Sequence, residues 1–99
     1  MQETTQKALF SLGQLVATPG ALASLAKAGQ TPLDFLSRHV CGDWGDLDKD
    51  DCKENELSLK RGFRILSSYH TNAGTKIWVI TEADRSVTTV LLPDEYCFK

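Results

Sequence analysis

The spacing of apolar residues changes near residue 62. Before it they recur every three or four positions, and after it they fall in short β-branched and aromatic blocks bounded by polar turns. The first pattern is that of helices with one buried stripe, and the second that of strands. Ala8, Leu9, Leu12, Leu15 and Val16 share a stripe, which predicts an amphipathic helix over 5–17 capped by Thr5. Gly13 lies off that stripe and costs such a helix about 1 kcal/mol relative to Ala.

Thr18-Pro19 predicts a second helix, since threonine caps well and proline suits the first helical position. Leu22, Leu25 and Ala26 form its inward stripe and Gly29 ends it. Thr31-Pro32 repeats the device, with Asp34 spaced as a short capping-box acid. Here Leu33, Leu36 and Val40 are expected to face inward, up to Gly42. A loop holding Trp44 follows. Asp48 then caps a fourth helix over 49–61, acidic in its first turns and basic in its last, the order that suits the helix dipole.

Strands are predicted over 63–69, 75–81 and 87–92. The turns Thr71-Asn72-Ala73-Gly74 and Glu82 to Ser86 join them as a meander. The expected fold is α+β in one domain, 1–99. About four N-terminal helices (5–61) precede a three-stranded antiparallel β-meander (63–92). The turns imply a register in which Phe63, Ile65, Tyr69, Trp78, Ile80, Val90 and Leu92 face the core. The second face then carries Arg64, Leu66, Ser68, Ile77, Val79, Thr81, Val87, Thr89 and Leu91. That face is too apolar to stand in water, so the N-terminal helix or the second subunit of a homodimer should cover it. A slip of one residue would exchange the faces.

Composition narrows the classes. The 99 residues have room for one core, and 41% apolar content with 24% charge is ordinary for a globular chain. No apolar run approaches the ~18 residues of a membrane span, and MQETTQKALF lacks a signal-peptide pattern. A net charge of −2 argues against a general nucleic-acid binder. Three cysteines (Cys41, Cys52, Cys97) without close pairing fit a reducing compartment, so a cytoplasmic location is expected. There is no C-x-x-C pair, Gly-rich phosphate loop or G-x-S-x-G. No cofactor, metal or catalytic residue is expected.

The candidate surface is a polar group at the second turn: Arg61, Arg64, Glu82, Asp84 and Arg85. It could bind a polar ligand or form a surface ion-pair network, each exposed pair worth under ~1 kcal/mol. His70 lies at the other turn, roughly 20 Å away at ~3.3 Å per strand residue, and cannot join it. His39-x-Cys41 with Asp43 and Asp46 matches no metal spacing and reads as a helix-end histidine. Trp44 either plugs the core edge or anchors a partner.

The strings TPGAL, HVCGDWGDL, KENELSLKRGFRILSSY and GTKIWVITEADRSVTTVLLPDEY resemble a family of small uncharacterised bacterial proteins met on plasmids and other mobile elements. Its members carry labels such as plasmid-related protein or type I restriction endonuclease subunit M. The resemblance covers Thr18 to Tyr96 and implies no activity or site residues. A methylating subunit needs a cofactor domain and an N-P-P-Y-type motif, which do not fit in 99 residues. The expected function is therefore a non-enzymatic interaction or accessory protein. Two alternatives stand beside it. One is a small ribonuclease or toxin with an active sheet face; the other is a winged-helix-like DNA binder.

Overall fold

The computed structural model describes residues 8–96. In chain order they form β1 (Gln14–Ala17), α1 (Pro19–Lys27), α2 (Pro32–Val40), α3 (Lys49–Arg61), β2 (Ile65–His70), β3 (Lys76–Thr81) and β4 (Val87–Leu91), ending in a 3₁₀ turn at Pro93–Glu95. The sheet has four strands in the order β1-β4-β3-β2, with β1 parallel to β4 and the other pairs antiparallel. This corrects the expected fold. There are three helices rather than four among the described residues, and the sheet is four-stranded and mixed rather than a three-stranded antiparallel meander.

The cause lies at Gly13. Its φ of +66° is left-handed, and a Cβ there would stand 2.4 Å from the Ser86 carbonyl oxygen. The chain thus breaks where a helix over 5–17 would have to continue, and Gln14–Ala17 runs on beside β4 as a strand. Of that predicted helix, residues 5–7, Thr5 included, lie outside the described residues.

The three helices that form begin where local chemistry directs. Thr18 Oγ1 accepts from Ala21 N–H at 3.2 Å, Asp34 Oδ2 from Thr31 N–H at 3.0 Å, and Asp48 Oδ1 from Asp51 N–H at 2.9 Å. Pro19 and Pro32 take first-turn positions that need no donor. Gly62, at φ 76°, closes α3. The buried stripe of α2 is Phe35, Leu36 and His39, and Leu33 faces out.

Turn length set the register differently from the expectation. Thr71 N–H donates to the Thr75 carbonyl and Gly74 N–H to the Thr71 carbonyl, both at 2.9 Å, leaving a three-residue loop with Gly74 at φ 86°. At the other end Glu82 N–H bonds the Val87 carbonyl at 3.0 Å, so residues 83–86 make the loop, with Arg85 at φ 61°. Each turn is one residue shorter than expected, and the two shifts cancel. Strand β3 alone is inverted. Ile77, Val79 and Thr81 join Ile65, Ser67, Tyr69, Thr88 and Val90 on the buried face, while Trp78 and Ile80 share the opposite face with Leu66, Ser68 and Leu91.

Helices α1 and α2 pack on that buried face, where Ala21, Leu25, Phe35 and Leu36 meet Tyr69, Ile77, Val79 and Val90. Helix α3 lies along β2 instead. The opposite face is partly screened by the chain end, with Tyr96 edge-on to Trp78 at 6.0 Å and its hydroxyl accepting from Arg64 Nη1 at 2.6 Å. No helix of the described residues is long and apolar enough to cross a membrane.

Candidate functional site

Of the polar residues expected to form a surface, Arg85 and Asp84 bond to main chain, while Arg64 and Glu82 pair with each other. Arg85 Nη1 donates to the carbonyls of Phe63 (2.7 Å), Glu82 and Ala83 (3.2 Å each), and Nη2 to that of Ser58 (3.0 Å). One guanidinium thereby ties the last turn of α3, the link into β2 and the β3–β4 turn. It fixes Arg85 in a left-handed conformation that a non-glycine residue seldom adopts. Asp84 Oδ1 accepts from Ser86 N–H at 3.0 Å, and the Ser86 hydroxyl and amide together hold its carboxyl below the usual range. Arg64 pairs with Glu82 at 3.2 Å, with both side chains substantially exposed. Arg61 is exposed and makes no ion pair among the described residues.

Trp44 is an internal plug, 5% exposed, and its Nε1–H donates to Glu56 Oε2 at 3.1 Å. Phe10 stacks on it at 6.5 Å and His39 meets it edge-on at 6.0 Å. The other members of that region are dispersed. Asp43 binds Arg38 at 2.8 Å, which holds the Asp43 carboxyl low, and Asp46 pairs with His70. No group of three or more potential metal ligands occurs among the described residues.

His39 is fully buried in a polar chain that sequence reasoning missed. Thr88 Oγ1 donates to the Leu12 carbonyl at 2.7 Å and therefore accepts from Thr81, also at 2.7 Å. Thr81, its proton committed, accepts at 2.9 Å from His39 Nε2–H. Nδ1 of the neutral ring is then an acceptor for the Ser67 hydroxyl at 2.6 Å. The chain crosses the sheet from β2 through β3 and β4 to the segment before β1. Burial pushes His39 down to about 4, keeping it neutral at physiological pH. Ser67 and His39 look like a nucleophile with its base. Both are 0% exposed, and Thr81 rather than a carboxylate occupies the second nitrogen, so the pair has no route to a substrate. The signal was present in the helix period, because His39 follows Phe35 and Leu36 on one stripe.

The two sheet edges differ. Along β2, Asn55 reproduces a strand partner: its Nδ2 donates to the Leu66 carbonyl at 2.7 Å and its Oδ1 accepts from Leu66 N–H at 3.2 Å. Two residues on, Ser68 N–H bonds the Trp44 carbonyl at 3.2 Å and Asp46 N–H bonds the Ser68 carbonyl at 2.6 Å. Gly45 sits between them at φ 75°, where a Cβ would stand 2.0 Å from the Ser68 oxygen.

Among the described residues, edge β1 has no such cover. Gln14 N–H bonds the Ser86 carbonyl at 2.9 Å and Thr18 N–H the Val90 carbonyl at 3.0 Å, so even-numbered residues face β4. The N–H and C=O groups of Leu15 and Ala17 point outward and find no partner among the described residues. Beside them Leu15, Val16, Ala17 and Val90 form one wall of an apolar groove of about 510 Å³, with the cap Thr31 and Pro32, Leu33 and Leu36 of α2 opposite. Leu15 is 51% exposed, Val16 42% and Leu33 65%. An open strand edge beside an apolar trough suits an added strand, with hydrogen bonds along the edge and side chains in the groove. Comparison with protein-family models, curated proteins and solved structures finds no match to this chain.

Proposed function

We propose that the protein is a non-enzymatic interaction module that binds through the open β1 edge, accepting an extended apolar protein segment as an added strand. The family resemblance adds the setting, that of an accessory protein of a mobile element. The observation that supports this reading is that the main-chain groups of Leu15 and Ala17, which find no partner among the described residues, lie beside an apolar groove. Selecting a random peptide library on the folded protein tests it. The expected result is enrichment of sequences with alternating β-branched and aromatic positions, whose binding is lost in Leu15→Lys. A library that yields nothing, or peptides that bind Leu15→Lys equally well, would overturn the reading.

A further inference from the structure

We infer that the segment seated on the β1 edge is β1 of a second copy of this chain, the two strands running antiparallel about a two-fold axis at Val16. This rests on the functional reading above and names its partner. Strand β1 is four residues long and turns only Leu15 and Ala17 outward. With the axis at Val16, Leu15 of each copy lies opposite Ala17 of the other, so every outward N–H and C=O of both strands is bonded. No other placement of a two-fold axis on this edge satisfies all four groups of each copy. The strand pair would join two four-stranded sheets into one continuous sheet.

Charge does not oppose self-association. A two-fold axis sets residues near it against their own copies, so a charge on the strand would meet itself. Gln14–Ala17 carries none, and neither do Thr31, Pro32 and Leu33 on the far wall of the groove. The lysines, prolines and bulges that commonly keep a free edge single are absent from this strand. Size limits the strength. The groove has eight lining residues per copy, against about 20–30 a side in a standard interface, which makes the dimer weak and dependent on concentration.

Cross-linking at the axis tests this. Val16 opposite its copy is a non-hydrogen-bonded pair with Cα atoms about 4.5 Å apart, within disulfide range. Val16→Cys, in a chain with Cys41, Cys52 and Cys97 replaced by serine, should oxidise to a disulfide dimer at least about tenfold faster than Gln14→Cys. In the paired strands Gln14 lies about 13 Å from its own copy, at ~3.3 Å per residue. The unmodified chain should show dimer by sedimentation at roughly 10–100 μM. Equal cross-linking at both positions, or a monomer throughout that range, overturns the inference. A monomer whose Leu15 edge still binds library peptides leaves the functional reading intact; a library that also returns nothing removes both.

Discussion

The sheet ends in two edges that the chain treats in opposite ways. Edge β2 is closed twice over, by a side-chain amide from α3 and by the main chain of the Trp44 loop. Edge β1 has outward groups with no partner among the described residues and borders an apolar groove. Covering an edge costs the chain sequence: an asparagine inside a helix and a glycine held in a left-handed conformation. An exposed edge invites association, and native chains usually blunt it. That the chain closes one edge and leaves the other open is what gives β1 its proposed role.

The comparison can be broken most severely at Gly45. Gly45→Ala places a Cβ inside contact distance of the Ser68 carbonyl and forces a left-handed alanine. The Trp44 loop must lift away, and both edge bonds at Ser68 go with it. The expected loss is about 4 kcal/mol by urea unfolding, with association now also at the β2 side. An unchanged midpoint would mean that the loop is not a structural cover.

Acid attacks the sheet from its interior rather than from either edge. His39 is depressed to about 4 in the folded protein, whereas an unfolded histidine titrates near 6.5. Between those values the unfolded chain binds more protons, so stability is full above pH 6.5 and falls as pH drops towards 4. The loss is roughly 3 kcal/mol. Protonation puts a hydrogen on Nδ1, and Ser67 must then reverse its bond. His39→Gln should flatten the profile between pH 6.5 and 4. A wild-type profile flat over the same interval would show that the ring is not held neutral.

A smaller effect sharpens the β2 side. Asn55→Ala removes both bonds to Leu66 and leaves those groups facing α3. The expected cost is about 2 kcal/mol, with faster exchange at the Leu66 amide and little change on β1. Equal acceleration at both edges would mean that Asn55 stabilises the fold generally rather than closing one edge.

How much of this could be read from the sequence follows from the range of the forces involved. Helices α1 to α3 were legible because Thr18-Pro19, Thr31-Pro32, Asp48 and Gly62 act within a turn of themselves. Strand β1 was not, since Gln14–Ala17 becomes a strand by pairing with Val87–Val90, some seventy positions away. Its apolar residues fit a helical stripe equally well, and only Gly13 argued against it. Register failed at β3 because loop length depends on which residue turns left-handed; Gly74 suggested this, and Arg85 gave no such sign. Arg85 instead owes its conformation to four carbonyls from three parts of the chain. Within the candidate polar surface, the role of Arg85 was hidden for the same reason. Its bonds to the distant Ser58 and Phe63 carbonyls are invisible in one dimension. The β1 groove was hidden because it depends on a strand that the pattern read as a helix.

Native-state hydrogen exchange compares the two edges directly. In dilute protein, at about 1 μM and so below the range expected for self-association, the Leu15 and Ala17 amides should exchange at nearly unprotected rates. The Leu66 and Ser68 amides, which point outward from the sheet's other edge, should be slowed by about two orders of magnitude or more, because their partners belong to the chain itself. Protection at Leu15 and Ala17 equal to that at Leu66 and Ser68 would contradict the account.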